Sequence, residues 1–412
     1  MKFKIKTTES QTQFIAISES DEEKHGLRAQ GPYTPIKLIN DTFIINYVSK
    51  LPLHPDIIGA ICITAFYPFV KYSATMPFPV SKTFAEGLQM DILPQHDIID
   101  NVYKAITPIT ITNIDEDLEP YNNGKNTIIA YGGGIDSTSI ALMFPEFPIV
   151  HTCDIRADEK VKNVMKKYTA DNLKNDSYII DSNSTQLCRP SGFTGWTNIL
   201  LVPLILSADL NIKNICYGQI LGSSCLSNGI KYIPHFLTEK RRNRWERFYN
   251  HIGINTFSPI SGCSELITSK IVCINNLADK VLYCERDNGN PCHTCTKCLR
   301  KGLQLKLNNY NYNFDAFHEP FITKFLKNRP LYFEHVFIHT IKNNHDIPPY
   351  LKEAIKDIIH IETSLFDKIY SKSFIYFPED IKEKIISKLT QYAEIMNKEE
   401  EQYLENWDLT QI

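Results

Sequence analysis

No stretch of this 412-residue chain is long and apolar enough to read as a membrane span: the longest candidate, Ile57 to Val70, is short and contains Pro68. The segment Met1 to Ser10 lacks the apolar core of an export signal, so the expected location is cytoplasmic, with no membrane partner. Net charge is small as well. A net charge of −3 argues against a surface dominated by nucleic-acid binding. Internal repeats and low-complexity tracts are absent. Without an export signal, the eleven cysteines read as reduced thiols and metal ligands rather than a disulfide framework. What remains is a globular composition, 43% apolar, with length enough for two or three domains.

The most informative segment runs from Thr127 to Ser139, where an apolar strand breaks into Gly132, Gly133 and Gly134 and then into a helix led by Asp136, Ser137 and Thr138. Glycines allow positive φ angles and close approach to a ligand, and the free N–H groups of a helix start favour an anion. A carboxylate such as Asp136 beside a phosphate is repulsive unless a hard cation lies between them, which points to Mg²⁺ and a polyphosphate, with ATP as the expected nucleotide. The dinucleotide fingerprint lacks its third glycine here, and the kinase-type P-loop lacks its Gly-Lys-Ser/Thr end. A plain strand-to-helix turn is the simpler reading of the loop taken alone.

A second signal is Cys284-x7-Cys292-x2-Cys295-x2-Cys298. Four thiolates at this spacing can close a tetrahedral Zn²⁺ site with no open position, the structural kind. Gly289 and Pro291 supply turns, and Arg286, Lys297, Arg300 and Lys301 offset the negative charge of a Zn(Cys)₄ centre. An iron-sulfur cluster is the rival, since the last three cysteines also have cluster spacing.

The loop resembles the Ser-Gly-Gly-x-Asp-Ser motif of the N-type ATP pyrophosphatases, aligned on Gly132 to Ser137. With the cysteines at the far end, the pair of motifs resembles the 7-cyano-7-deazaguanine synthases of that superfamily. Asn198 to Asp209, Ile215 to Gly218, and Phe257 to Ile260 with Glu265 and Lys270 fall in the family's order, so the resemblance covers about residues 125 to 305. It implies a doubly wound parallel sheet in an α/β domain, with strands near Asn126 to Ala130, Pro148 to Cys153, Ser177 to Ile180 and Asn214 to Gly218. It also implies adenylation of a carboxylate or carbonyl with release of pyrophosphate, followed by attack of ammonia or an amine, with Lys270 stabilising the α phosphate. Asp136 and Lys270 are thus the expected catalytic residues, and Gly132, Gly133, Gly134, Asp136, Ser137 and Thr138 the expected nucleotide site.

Departures from the family pattern concern the substrate. Gly132 stands where the family has serine, His151 to Arg156 replace its Tyr-Gly-Gln, and Thr197 replaces an arginine. The segment that reads the deazaguanine base is replaced by Ser223 to His235. Sites that hydrogen-bond a polar substrate discriminate strongly, so such changes usually change the substrate. Relatives of the synthase occur in bacterial antiphage systems, where a similar core is thought to modify a partner protein. Small-molecule and partner-protein substrates therefore both stay open, beside tRNA thiolation and a nucleotide-binding module without turnover.

Flanking regions frame this core. Residues 1–122 show alternating pairs, Phe3 and Ile5, Ile15 and Ile17, Ile36 and Leu38, Phe43 and Ile45, then a helix from about Asp56, and read as an α+β accessory domain. Pro108 and residues 115–126 mark a linker, and residues 123–305 form the pyrophosphatase domain. Residues 306–412 read as helical, from Leu351, Ile355, Ile358, Leu365 and Ile369 and from Ile381, Ile385, Leu389 and Tyr392. Lys240 to Arg244 make a basic patch, with Trp245 and Phe248 set against the core. His235, His251 and His293 are candidate acids or bases, though a lone histidine is more often structural.

Overall fold

The computed structural model describes residues 1–28, 34–92, 110–122, 124–189, 198–233, 244–284, 291–314, 317, 319–327, 329–344 and 346–410. Pro108, Thr197, His235, Lys240 to Asn243, Arg286 and Gly289 lie outside the described residues.

Ten strands form one sheet: β1 (Lys2–Thr7), β2 (Thr12–Ile17), β3 (Thr42–Ile45), β4 (Ser73–Ser81), β5 (Thr110–Asp115), β6 (Asn126–Ala130), β7 (Ile149–Asp154), β8 (Ser177–Ser182), β9 (Ile212–Tyr217) and β10 (Asn255–Phe257). Their order is β10-β9-β6-β7-β8-β3-β2-β1-β4-β5. The first five in that order are mutually parallel. The chain builds β6, β7 and β8 outward in one direction, then returns to place β9 and β10 on the other side of β6. Such a reversal opens a crevice at the carboxyl ends of the strands, here between β6 and β9, where sheets of this kind bind ligands.

Helices cover both faces, and the alternation along each strand shows how. Ile128, Ala130, Val150 and Tyr217 pack with Leu200, Leu201 and Leu204. Their neighbours Ile129, Ile149 and Cys216 pack instead with Ile140, Met143, Met165 and Tyr168. The helices concerned are α1 (Pro55–Phe66), α2 (Ile135–Met143), α3 (Glu159–Asn172) and α4 (Asn198–Ile205). Strands buried on both faces need near-continuous apolar runs, and Ile128-Ile129-Ala130 is one. The α/β expectation holds at this level: a large, mostly parallel sheet between helical layers.

The N-terminal strands extend that sheet. β3 runs antiparallel to β8, and Asn183 seals the junction: its Oδ1 accepts from Ile44 N at 2.7 Å and its Nδ2 donates to Thr42 O at 2.8 Å. β2 buries Phe14 and Ala16, whereas Ile17 is exposed, the reverse of the face that Ile15 and Ile17 suggest. Antiparallel pairing sets this, since Phe3 faces Ala16 and Ile5 faces Phe14 across the ladder.

Beyond the sheet lie α5 (Arg244–His251), α6 (Glu265–Ile274), α7 (Thr296–Leu307) and α8 (Glu334–Lys342). Trp245 and Phe248 of α5 are buried, as their spacing predicts. A continuous helix through Ile369 does not form. The helix Pro349–Ala354 gives way to turns in which Ile355, Ile358 and Ile361 N–H groups each bond the carbonyl three residues back. Isoleucines spaced by three suit that tighter winding. Ile381 caps the helix Lys382–Leu389, which buries Ile385 and Leu389 as expected.

Candidate functional site

The loop between β6 and α2 occupies the crevice. Gly133 alone of the three glycines has a positive φ, +78°, and a Cβ there would lie 2.7 Å from Met165 Cε. Gly132 and Gly134 have room for a side chain, the nearest atoms being Ser137 Oγ at 3.9 Å and Leu282 O at 3.7 Å. The loop is braced from within by Ser137, whose Oγ accepts from Gly132 N and donates to Gly134 O, both at 3.3 Å. From outside, Leu282 N donates to Gly133 O at 3.0 Å. Across the crevice, Gly218 follows β9 and comes so close that a Cβ would sit 3.0 Å from Ser137 N. Gly133→Ala should therefore destabilise the chain by about 1–2 kcal/mol. Gly132→Ser should stay within about 0.5 kcal/mol of the parent. Urea denaturation compares the two, and equal effects would contradict this account of the turn.

Thr138 is turned away from the crevice: its hydroxyl is buried against Tyr131 Oη at 2.9 Å. Asp136 faces α6 and α7. Its Oδ1 accepts from Thr268 Oγ1 at 2.8 Å and from Lys301 Nζ at 3.4 Å. Asp136 thus has a fixed cation beside it, so its presence alone is a weaker argument for Mg²⁺ than the sequence suggests. Its Oδ2 has no hydrogen-bond partner among the described residues, which leaves one oxygen for a cation.

Lys270 does not reach the loop. It lies two residues beyond Thr268 on α6, about 200° around the helix axis, and its Nζ donates to Tyr392 O at 2.8 Å. The cation at the site is Lys301, one helical turn after Cys298, which sequence reasoning assigned only to charge balance at the cysteines. Its spacing is the signal that was available: Cys295 caps α7 and Cys298 lies in its first turn, so Lys301 follows on the same side.

Behind Asp136 lies a buried ionic cluster. Glu265, fully buried at the start of α6, accepts from Arg300 Nη1 at 3.1 Å. Arg300 also lies 3.9 Å over the Phe333 ring. Glu265 Oε2 faces His335 Nε2 at 3.7 Å, and neither atom has a hydrogen-bond partner among the described residues. His335 Nδ1 bonds Gly229 O at 3.2 Å, and since a carbonyl only accepts, Nδ1 carries a proton. Burial works to raise the Glu265 pKa, but His335, Arg300 and Lys301 overcome it and bring it down to about 2.

Because that value lies below the ordinary 4.5, the stabilisation is complete above about pH 5 and is lost as the pH falls through about 4.5 towards 2. The difference corresponds to roughly 3 kcal/mol. Glu265→Gln should accordingly unfold at lower urea than the parent at pH 7, and the gap should narrow at pH 2.5. A gap that stays constant with pH would refute the assignment.

On the other flank, His151 of β7 bonds Tyr131 O through Nδ1 at 2.7 Å, and burial pushes its pKa down. It stands beside the loop as a neutral imidazole. Two of the other candidate histidines fill structural places. His251 pairs with Asp91 at 3.2 Å, and His293, with φ 52°, turns the cysteine knuckle and packs on Tyr312 and Phe317.

The four cysteines converge: the Sγ atoms of Cys284, Cys292, Cys295 and Cys298 all lie within 4.8 Å of one another. Cys292 and Cys298 Sγ are 3.8 Å apart, matching the edge of about 3.8 Å of a tetrahedron with Zn–S bonds of about 2.3 Å. The site can hold a metal such as zinc. A four-iron cluster gives each thiolate its own iron and spreads the sulfurs further, so the spacing suits a single ion better.

A family of unknown function (DUF6395) matches residues 244–408, under half of the chain. That stretch contains Glu265, the four cysteines, Lys301 and His335, and leaves the glycine loop outside. No curated protein matches the chain.

Proposed function

We propose that this chain is an adenylating ATP pyrophosphatase, with its nucleotide site in the crevice between β6 and β9 and a doubly wound core like that of the deazaguanine synthases. The observation that carries the reading is the Gly133 turn, held between a buried strand and a helix start where the strand order reverses. In this reading the N–H groups of the loop and of the first turn of α2 hold phosphate oxygens. Mg²⁺ on the open oxygen of Asp136 would neutralise charge on the leaving pyrophosphate. A substrate carboxylate oxygen attacks the α phosphorus, the bond to the bridging oxygen breaks, and pyrophosphate departs to leave an acyl adenylate. Ammonia or an amine then attacks the acyl carbon, and AMP leaves with the bonding electrons.

Residues 223–233, the described part of the segment Ser223 to His235 that replaces the base-reading segment of the resembled family, are held with the preceding Leu221 by the chain's own C-terminal region. Tyr232 N bonds Trp407 O, Leu409 N bonds Ile230 O, and Leu221, Cys225 and Leu226 pack with Phe366, Leu404 and Trp407. This favours a substrate other than a free deazaguanine and supports the second reading, an enzyme that modifies a carboxylate of a partner protein. The single-ion spacing of the cysteines gives no support to cluster-dependent thiolation.

Pyrophosphate release from labelled ATP and Mg²⁺ tests the proposal against deazaguanine carboxylates, other carboxylates, tRNA and candidate partner proteins. AMP and pyrophosphate formed in equal amounts with one of these substrates would support it. ATP binding without AMP formation on any of them would favour the module without turnover.

A further inference from the structure

We propose that Lys301 is a ligand for the phosphate chain of the nucleotide, an inference that rests on the nucleotide reading above. The ammonium of Lys301 is buried, 2% exposed, on the second turn of α7. An ammonium carries three N–H donors. Among the described residues its one acceptor is Asp136 Oδ1, and the 3.4 Å between them exceeds the roughly 2.7–2.9 Å of a good charge-assisted hydrogen bond. A charge buried with so little to hold it is unfavourable by itself. Burial does push the Lys301 pKa below its ordinary range, against the pull of Asp136 and Glu265.

The surroundings do not complete its coordination. Glu265 is committed to Arg300 through Oε1 and faces His335 through Oε2. Gln304, one turn further along α7, turns its Oε1 to Ser269 and leaves its own Nε2 donor without an acceptor. Two adjacent turns of α7 thus present buried donors that the protein leaves short of acceptors, beside a loop whose N–H groups also seek an anion. Asp136 lies in the first turn of α2, so the group that would satisfy Lys301 enters from the glycine loop. It must be anionic, offer several oxygens and reach past Asp136, which describes a polyphosphate better than a single carboxylate. On binding, Lys301 Nζ keeps its proton and exchanges the long contact with Asp136 for shorter ones to phosphate oxygens, while Asp136 is freed for a divalent cation.

A merely structural Lys301 would neutralise Asp136 and nothing more, and the two roles are separable. The full chain, as wild type, Lys301→Met, Lys301→Arg, Asp136→Asn and the Asp136→Asn/Lys301→Met pair, is titrated by calorimetry with ATP and Mg²⁺ and, separately, with adenosine. Melting curves confirm that each variant is folded. Lys301→Met should lose about 10- to 100-fold in ATP affinity, as for loss of a hydrogen bond to a charged group, with adenosine affinity unchanged. Lys301→Arg should retain part of the ATP affinity, and the double variant should be at least as weak as Lys301→Met. Unchanged ATP binding by folded Lys301→Met would overturn the inference, as would recovery of affinity in the double variant. A wild type that binds neither ATP nor adenosine would instead overturn the nucleotide reading itself, and this inference with it.

Discussion

Cys298→Ser should lower the melting temperature of the chain by more than any surface substitution, and chelation of the bound metal should reproduce that loss in the parent protein. Cys298 is fully buried, and its sulfur lies within 4.8 Å of three other cysteine sulfurs. Without a cation, that arrangement sets thiolates against one another or forces them to stay protonated in a buried place. Metal binding energy is folding energy where the site does not exist in the unfolded chain, and reaches about 10–16 kcal/mol in isolated zinc-finger peptides. Here the knuckle is one part of a larger core, so a loss of several kcal/mol, roughly 3–5, is expected from removing one ligand. Cys273→Ser is the control, since Cys273 is partly buried and lies outside the cluster. Metal content and calorimetric melting are measured together. A chelated protein that melts unchanged would refute the structural role of the site.

That loss should be felt at the glycine loop. Leu282, two residues before Cys284, donates the N–H that holds Gly133 O, and α7, capped by Cys295, carries Lys301 to Asp136. The knuckle thus fixes two sides of the loop, although the loop precedes it by about 150 residues. If the loop holds a nucleotide as proposed, partial metal removal should therefore weaken its binding before the global transition.

The loop and the cysteines were legible in the sequence because each is a local pattern whose chemistry depends on spacing. A strand that runs into three glycines and a helix start marks a tight turn at the carboxyl end of a strand, and four cysteines in fifteen residues need little chain to converge. The central strands were legible for a related reason, since Ile128 to Ala130 and Ile149 to Val150 are apolar without alternation. What escaped depends on tertiary phase. Lys270 and Lys301 are indistinguishable as lysines on amphipathic helices; only the packing of α6 and α7 turns Thr268 and Lys301 towards Asp136 and sends Lys270 to Tyr392. The buried face of β2 depended on its pairing with β1, and the spacing of Ile355, Ile358 and Ile361 fits a turn of three residues as well as a helix. Glu265, Arg300 and His335 come from separate segments, and nothing local marks them as one cluster.

Asp136→Asn should leave the fold intact and reduce pyrophosphate release by at least about 100-fold, corresponding to about 2.7 kcal/mol of transition-state stabilisation. Asparagine keeps the shape of the side chain and an oxygen for Thr268, but it gives up the charge that faces Lys301 and that, in the proposed reading, would hold a divalent cation. Asp136→Ala is the less informative change, because it also leaves the buried Lys301 without its acceptor and adds a stability loss to the catalytic one. Lower turnover in Asp136→Ala therefore has two causes, whereas in Asp136→Asn it has chiefly one. Turnover and melting temperature measured on both variants separate them: Asp136→Asn should melt nearer to the parent than Asp136→Ala does, with release of pyrophosphate lost in both. Full turnover in folded Asp136→Asn would remove Asp136 from the chemistry and, with it, the main reason to place the reacting phosphates at this loop.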